Sequence, residues 1–163
     1  RTTTETKTDL WILDPDGGTT PVVATRADEG SGRISPDGTW LTFVSNATGR
    51  DEVYVLRLGA AAGPMQVSTA GGQAPVWGPA GDALYFRRER KVFRIGFDEG
   101  ALVGEPEMVF DAPNLLTGPG YAVTRDGTRM VAIQLEDEAI PDEIRVVTGF
   151  HDEIRRVVGP GSR

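Results

Sequence analysis

The sequence predicts an all-β fold, and three features of the 163-residue chain support that class. Glycine and proline are frequent, with 21 and 11 residues, and they are scattered between short apolar runs. Many of those runs alternate apolar and polar residues, which is the period of a half-buried strand. A turn motif also recurs along the chain. Together these features are typical of many short strands joined by turns.

The recurring unit is a predicted hairpin with a glycine in its turn. The turn glycines are Gly38, Gly81 and Gly127, which lie 43 and 46 residues apart. Glycine supplies the positive φ that such a turn needs, and proline, found here as Pro36 and Pro79, presets φ. Propeller blades of the WD type repeat at roughly 40–45 residues. The spacing therefore predicts a β-propeller.

Each hairpin is followed by a third and a fourth predicted strand, which gives the four antiparallel strands of a blade. Residues 9–13 match the third strand of a unit, so we expect the chain to start within a blade. The prediction is about three four-stranded blades plus a partial one. Their expected bounds are 1–18 for the partial blade and 19–58, 59–98 and 99–148 for the blades.

Residues 149–163 are predicted to form a short C-terminal helix or helical tail. Phe150, Ile154 and Val157 have helical spacing, and Gly159 follows them as a stop. The chain begins with Arg1 and shows no signal peptide. We therefore expect it to be the C-terminal part of a longer protein.

Two sets of residues are assigned structural roles in this fold. Those expected to form the repeated turns are Ser35, Pro36, Asp37, Gly38, Gly78, Pro79, Gly81, Asp126 and Gly127. Aromatic residues recur at equivalent strand positions, which favours packing between blades over a ligand cage. This predicted blade core consists of Trp11, Trp40, Phe43, Tyr54, Trp77, Phe86 and Phe93.

Charge and composition exclude several classes of function. The formal net charge is −7, which disfavours nucleic acids and anionic membrane surfaces as partners. The chain has no cysteine, so disulfides, thiolate metal sites and cysteine nucleophiles are excluded. No apolar stretch approaches the roughly 20 residues that span a bilayer, so direct membrane insertion is not expected.

No catalytic, cofactor or metal site is predicted. His151, the one histidine, stands beside Asp152 and Glu153, which a helix start explains. No Gly-x-Ser-x-Gly elbow is present. The carboxylates at 28–29 and 136–138 are interpreted as solvated loop residues, although paired acids could serve a glycosidase and clustered acids could hold calcium.

One basic cluster, residues 87–91, is predicted to be a hairpin tip. It could contact an acidic partner. The simpler interpretation is a solvated turn that discourages aggregation at a sheet edge.

Residues 35–43, Ser-Pro-Asp-Gly-Thr-Trp-Leu-Thr-Phe, resemble the repeat of TolB-type propellers. Residues 9–18 are similar to that family's strand followed by a Gly-Gly join. The second unit has Gly-Pro-Ala-Gly at 78–81 and the third has Thr-Arg-Asp-Gly at 124–127, where Ser-Pro-Asp-Gly is usual. The resemblance implies a WD-repeat-like propeller and favours a periplasmic or other extracytoplasmic location.

Residues 144–156 resemble the C-terminal end of propellers appended to some bacterial serine/threonine protein kinases, with Gly149-Phe150 where Asn-Trp is usual. That likeness implies a kinase domain, a membrane span and more blades upstream.

The predicted function is a non-catalytic propeller that binds a protein or peptide. Two alternatives stay open: a sensory or ligand-binding propeller of a receptor-like kinase, and the propeller of a prolyl-oligopeptidase-type enzyme. Because each repeat relies on its neighbours, we also expect self-association through exposed blade faces.

Overall fold

The computed structural model describes residues 8–111, 121–124 and 129–133, and this part of the chain contains strands and turns but no helix. The all-β prediction is therefore confirmed. The predicted C-terminal helix at 149–163 lies outside the described residues. The strands are β1 (Leu10–Leu13), β2 (Thr19–Val23), β3 (Glu29–Ile34), β4 (Trp40–Ser45), β5 (Glu52–Arg57), β6 (Met65–Gln66), β7 (Gln73–Trp77), β8 (Ala83–Arg88), β9 (Lys91–Asp98), β10 (Ala101–Asp111), β11 (Tyr121–Val123) and β12 (Met130–Ala132).

Two of the sheets have four strands, in the orders β3-β4-β5-β6 and β7-β8-β9-β10. Every paired neighbour is antiparallel. The pairs β1-β2 and β11-β12 form two-stranded sheets on either side of them. The prediction of four-stranded antiparallel blades is confirmed by these two sheets.

The hydrogen-bonded sheets divide the chain differently from the predicted bounds. The complete sheets run from 29 to 66 and from 73 to 111, so each fourth strand lies in one sheet with the three strands before it and pairs with the third. The predicted bounds 19–58 and 59–98 place that strand with the three that follow. β10 pairs with β9 across the short turn Glu99–Gly100, and β6 pairs with β5 after the longer connection at 58–64.

Apolar side chains are buried between successive sheets, which pack face to face. The largest cluster joins the two complete sheets and includes Val53 and Val55 of β5 with Leu84 and Phe86 of β8. A second cluster lies between β1-β2 and the first complete sheet. A third joins the second complete sheet to β11-β12. The faces at which the described sheets meet are thus buried by their neighbours, as in other repeat architectures.

The repeated turn closes each first hairpin in the same way. Ser35 N–H donates to the Trp40 carbonyl at 2.8 Å, Gly78 N–H to the Ala83 carbonyl at 2.8 Å, and Thr124 N–H to the Arg129 carbonyl at 2.9 Å. These three bonds occupy equivalent places in the repeat. They lie where the first strand of each of these three sheets ends and the second strand begins.

Candidate functional site

The first strands of three sheets line one of the cavities in the described part of the chain. It has a volume of about 380 Å³ and is lined by β3, β7 and Tyr121 of β11, together with groups from β4, β8 and the β4–β5 loop. We call it the inner pocket. The residues that matter for its chemistry are Ser31, Arg33, Asp51, Gln73, Arg87 and Tyr121.

Both β3 and β7 contain a bulge at the pocket wall. The β3–β4 register shifts between Gly30 and Arg33, and the β7–β8 register shifts between Gln73 and Val76. Within each bulge a non-glycine residue has positive φ: Ser31 at 55° and Ala74 at 49°. These two residues are 43 positions apart, so the bulge is part of the repeat. Such a conformation costs free energy and persists only where the surrounding structure fixes it.

A buried arginine forms one wall of the pocket. Arg87 on β8 is 6% exposed, and its Nη2 donates to Gln73 Oε1 at 2.8 Å. Gln73 Nε2 in turn donates to Asp51 Oδ2 at 2.9 Å. The equivalent position in the preceding blade is Val44, because Val44 pairs with Gly30 and Arg87 with Gln73. A cation therefore stands where the repeat has an apolar residue, and burying it is costly unless polar groups surround it.

Tyr121 attaches the third sheet to the pocket wall. Its hydroxyl donates to the Ala74 carbonyl at 2.6 Å, within the bulge of β7. The side chain is 6% exposed, and this burial raises the pKa of the Tyr121 hydroxyl well above its usual value. The phenol therefore stays protonated and keeps its donor role at all ordinary pH values.

The predicted basic tip is only partly a solvated turn. Arg87 is buried, and Arg88 donates from Nε to the Gly71 carbonyl at 3.2 Å while its guanidinium lies 4.5 Å from the centre of the Phe93 ring. Glu89, with φ of 55°, and Arg90 form the exposed turn itself, and Lys91 is also exposed. The interpretation of 87–91 as one solvated tip is therefore wrong for its first two arginines, because strand β8 continues through them.

The carboxylates at 28–29 also differ from their predicted role. Glu29 begins β3 and is 3% exposed, with hydroxyl groups of Thr25 and Ser45 donating to one of its oxygens. Asp28 accepts hydrogen bonds from the Asn46 side chain and the Thr8 amide. Glu29 is thus a buried part of the blade and not a solvated loop residue. No group of three or more potential metal-binding side chains occurs among the described residues.

The turn residues of the first repeat form a hydrogen-bonded unit. Ser35 Oγ donates to the Asp37 carboxylate and accepts from Trp40 N–H at 2.8 Å, while Thr39 N–H donates to Asp37 at 3.1 Å. These donors hold the pKa of Asp37 below its usual value. Gly38 has φ of 76°, and Gly81 in the second turn has φ of 77°. Pro36 follows Ser35, and Pro79 follows the buried Gly78, whereas Asp126 and Gly127 lie outside the described residues.

Most of the aromatic residues assigned to the blade core lie between sheets. Phe43, Tyr54, Trp77 and Phe86 are at most 8% exposed, while Trp40 and Phe93 are partly buried against the cluster that contains Trp77 and Phe86. Trp11 does not fit this assignment, since it is 51% exposed on the two-stranded sheet, where no described strand covers it.

Sequence reasoning missed Phe97, the centre of an aromatic triad between the two complete sheets. Its ring lies 5.1 Å from Trp40 and 5.2 Å from Trp77, both edge to face. Trp77 Nε1 also donates to the Arg33 carbonyl of the neighbouring blade at 3.0 Å. A signal for Phe97 was present in the sequence. Side chains of a strand alternate between its two faces, so Phe97, four residues beyond Phe93 on β9, lies on the same face as Phe93.

A second groove lies at the opposite ends of the strands, among the turns. It has a volume of about 410 Å³ and contains Trp40 and Arg57 together with carboxylates from three different turns, namely Asp37, Asp82, Asp98 and Glu99. The two cavities therefore differ in charge. Arginines line the inner pocket, whereas acidic residues dominate the turn groove.

Four-stranded antiparallel sheets that pack face to face, with their first strands around a common cavity, define a β-propeller. No family model matches the chain, and no curated protein matches it in sequence. Solved structures do match. A protein described as a TolB of Agrobacterium tumefaciens is 21% identical with a TM-score of 0.53, and the match covers 78% of this chain and 51% of that one.

TolB from Acinetobacter baumannii is 19% identical with a TM-score of 0.57, and the match covers 84% of this chain and 35% of that one. The chain therefore has a TolB-like propeller fold, and it spans about half or less of the length of these structures. No helix among the described residues is long and apolar enough to cross a membrane.

Proposed function

We propose that this chain is a non-catalytic binding module that holds a segment of a partner protein or peptide in the inner pocket. The observation that carries the proposal is a formed cavity of about 380 Å³ at the meeting point of three sheets. Sites of this kind combine apolar walls with a few fixed polar groups. In this pocket the apolar walls are formed by Val44, Pro75 and Val76. The fixed polar groups are the side chains of Gln73 and Arg87.

The polar groups of the pocket are suited to binding and not to nucleophilic catalysis. Ser31 supplies the one serine hydroxyl among the described residues that line the pocket. None of these described residues is a histidine or a cysteine. A serine nucleophile needs a base within hydrogen-bond reach. Arg87, Gln73 and Asp51 instead form a connected set of donors and acceptors, which orients a bound polar group.

A phage-displayed random peptide library, selected against the immobilised protein, tests the proposal. We expect selected peptides to shift the ¹⁵N amide resonances of Ser31, Gln73 and Ala74. Gln73→Ala should weaken their binding by about tenfold, because it removes one side of the pocket's hydrogen-bonding set. Gln66→Ala on the outer strand β6 is the matched control and should bind normally. Selected peptides that shift only resonances elsewhere would refute the assignment of this pocket.

A second candidate function rests on residues 144–156, which lie outside the described residues and resemble the end of kinase-appended propellers. We propose that the chain is the extracytoplasmic sensory propeller of a receptor-like serine/threonine kinase, and this is compatible with peptide binding in the same pocket. Sequencing the gene upstream of Arg1 decides it. A kinase domain with a Gly-rich loop would support this candidate, and a secretion signal followed only by further blades would contradict it.

We also propose that the isolated chain self-associates through its end sheets. On β1, Trp11 is 51% exposed and Leu13 is 74% exposed, and at the other end Val131 of β12 and the following Ile133 are 67% and 56% exposed. Large exposed apolar side chains next to one another favour association. Light scattering should show species larger than the monomer, and a stable monomer at high protein concentration would count against the idea.

A further inference from the structure

We propose that the inner pocket binds a tyrosine side chain of its ligand, whose phenolic hydroxyl donates a hydrogen bond to the backbone carbonyl of Ser31. This inference rests on the proposed function, because it names the side chain that the pocket accepts. The proposed function concerns only the location of binding, whereas this inference concerns the chemistry of the group that binds.

The first argument is that the bulges of β3 and β7 are equivalent. Each bulge places two residues outside the regular register with the second strand, at 31–32 in β3 and at 74–75 in β7. Ser31 and Ala74 come first in their bulges, with φ of 55° and 49°. Because the backbone takes the same uncommon conformation at both places, we expect the Ser31 carbonyl to stand in its blade as the Ala74 carbonyl does in the next.

The second argument is the group that the structure already holds on the Ala74 carbonyl. Tyr121 of the next sheet donates its hydroxyl to that carbonyl at 2.6 Å. The Tyr121 side chain is 6% exposed and belongs to one apolar cluster with Ala83, Tyr85 and Val92 of the second complete sheet. A phenol suits such a place because its ring fills an apolar space while its hydroxyl reaches a polar partner. The chain thus contains an example of the side chain that a bulge carbonyl accepts.

The third argument is that Ser31 does not receive the donor that Ala74 receives. Pro75 occupies the place of Tyr121 in the second complete sheet, since the repeat spacing of 46 residues aligns the two. A proline side chain has no donor, and within the described residues the side-chain hydrogen bonds to carbonyls of β3 and β7 do not include one to Ser31. Ser31 and Pro75 both line the inner pocket. The cavity therefore lies between a bulge carbonyl and the residue that stands in place of its donor.

Other hydroxyl-bearing and aromatic side chains suit this place less well than tyrosine. Serine and threonine would leave most of the apolar wall of the pocket uncovered, whereas a phenyl ring covers it. Phenylalanine covers the wall but has no donor for the carbonyl. An indole can donate, as Trp77 does to the Arg33 carbonyl at 3.0 Å, so tryptophan is the competing ligand in the experiment.

The test compares three blocked pentapeptides, Ala-Gly-Xaa-Gly-Ala with Xaa as Tyr, Phe or Trp, titrated into ¹³C- and ¹⁵N-labelled protein. The Tyr peptide should bind about fivefold more tightly than the Phe peptide, because the two differ by a hydroxyl that makes one hydrogen bond. The Trp peptide should bind more weakly than the Tyr peptide. All three should shift the amide resonances of Ser31 and Gln73, but between Tyr and Phe only the Tyr peptide should move the ¹³C carbonyl resonance of Ser31.

Two proline variants test the place of the phenol. Pro75→Tyr gives the second complete sheet the side chain that the third sheet has at Tyr121, so its own hydroxyl should reach the Ser31 carbonyl and block the Tyr peptide. Pro64→Tyr is the matched control, because Pro64 is exposed in the loop before β6 and lies outside the pocket lining. It should keep the affinity and the preference of the unchanged protein. Unchanged amide resonances away from the pocket would verify the fold of each variant.

The outcomes distinguish this inference from the proposed function. If the Tyr and Phe peptides shift the pocket amides with equal affinity, recognition of a phenol is wrong while binding in the pocket stands. A tighter Trp peptide, a Ser31 carbonyl resonance that does not move, or a folded Pro75→Tyr variant that still binds the Tyr peptide normally would also overturn it. If Pro75→Tyr does not fold, the peptide comparison on the unchanged protein decides alone. If no peptide shifts the pocket amides, the inference is overturned, and the library selection judges the proposed function separately.

Discussion

Phe97→Ala should destabilise the protein more than any other single truncation on β9, because Phe97 joins two blades. The ring is 6% exposed and makes edge-to-face contacts with Trp40 and Trp77 at 5.1 and 5.2 Å. Truncation of a buried phenylalanine to alanine costs about 3–5 kcal/mol. Of this, the two aromatic contacts account for about 0.5–1.5 kcal/mol each. Because domains of this size are stable by about 5–15 kcal/mol, the loss is a large share of the total.

Urea unfolding followed by far-ultraviolet circular dichroism measures this cost. Phe110→Ala on β10 is the matched control, since Phe110 is 47% exposed and its truncation should cost about 1 kcal/mol or less. Phe97→Leu keeps an apolar side chain and should lose about 1–3 kcal/mol, the share of the aromatic contacts. If Phe97→Ala and Phe110→Ala shift the unfolding midpoint equally, the aromatic triad does not hold the blades together.

Three further predictions concern the turns. Gly100→Ala should destabilise by about 2 kcal/mol, because Gly100 has φ of 86° and an added Cβ would lie 2.8 Å from the Trp40 ring. Gly49→Ala, with φ of 89° and open space around it, should show only the backbone cost of about 1 kcal/mol in the same thermal scans. Glu99→Asn should raise the thermal midpoint, because Glu99 has φ of 47° and asparagine tolerates that conformation better; an unchanged or lower midpoint would contradict this. Hydrogen bonds from Ser35 and Thr39 hold the pKa of Asp37 below its usual value of 3.8. The Asp37 carboxylate therefore stabilises the fold fully at pH values above 3.8, and this contribution is lost as the pH falls through the lowered pKa. Its midpoint in a ¹³C carboxyl titration should rise towards 3.8 in Ser35→Ala, and an unmoved midpoint would show that the Ser35 hydroxyl is not the cause.

The repeat and its strands could be predicted from the sequence because local chemistry specifies them. The turns need residues with positive φ, and Gly38 and Gly81 supply them in the structure. Alternation marked the apolar face of strands such as β4 and β8. Alternation says nothing about which strands share a sheet, however, and the bounds at 58 and 98 therefore separated each fourth strand from its pairing partner.

The pocket could not be predicted from residue type alone. Arginine and glutamate are usually exposed, so the burial of Arg87 and Glu29 runs against their ordinary preference. A signal was nonetheless present, since the repeat aligns Arg87 with Val44 and Ile133, which are apolar. The sequence signal for Tyr121 was weaker. The repeat aligns Tyr121 with Pro75 and Gly32, and neither of these residues has a polar side chain that would suggest a hydrogen-bonding role at this position.

The bulges at Ser31 and Ala74 limit how anything can be held in the inner pocket. A regular edge strand is a template that can add another strand through a continuous ladder of backbone hydrogen bonds. A residue with positive φ in the middle of β3 and of β7 interrupts that ladder after two or three residues. A bound segment therefore gains little from its backbone, whose hydrogen bonds every peptide could make equally. If the pocket binds a peptide as proposed, side-chain contacts would supply most of the binding energy. The bulges at Ser31 and Ala74 would then make binding depend on the peptide's sequence, whereas a regular edge strand would accept any extended chain.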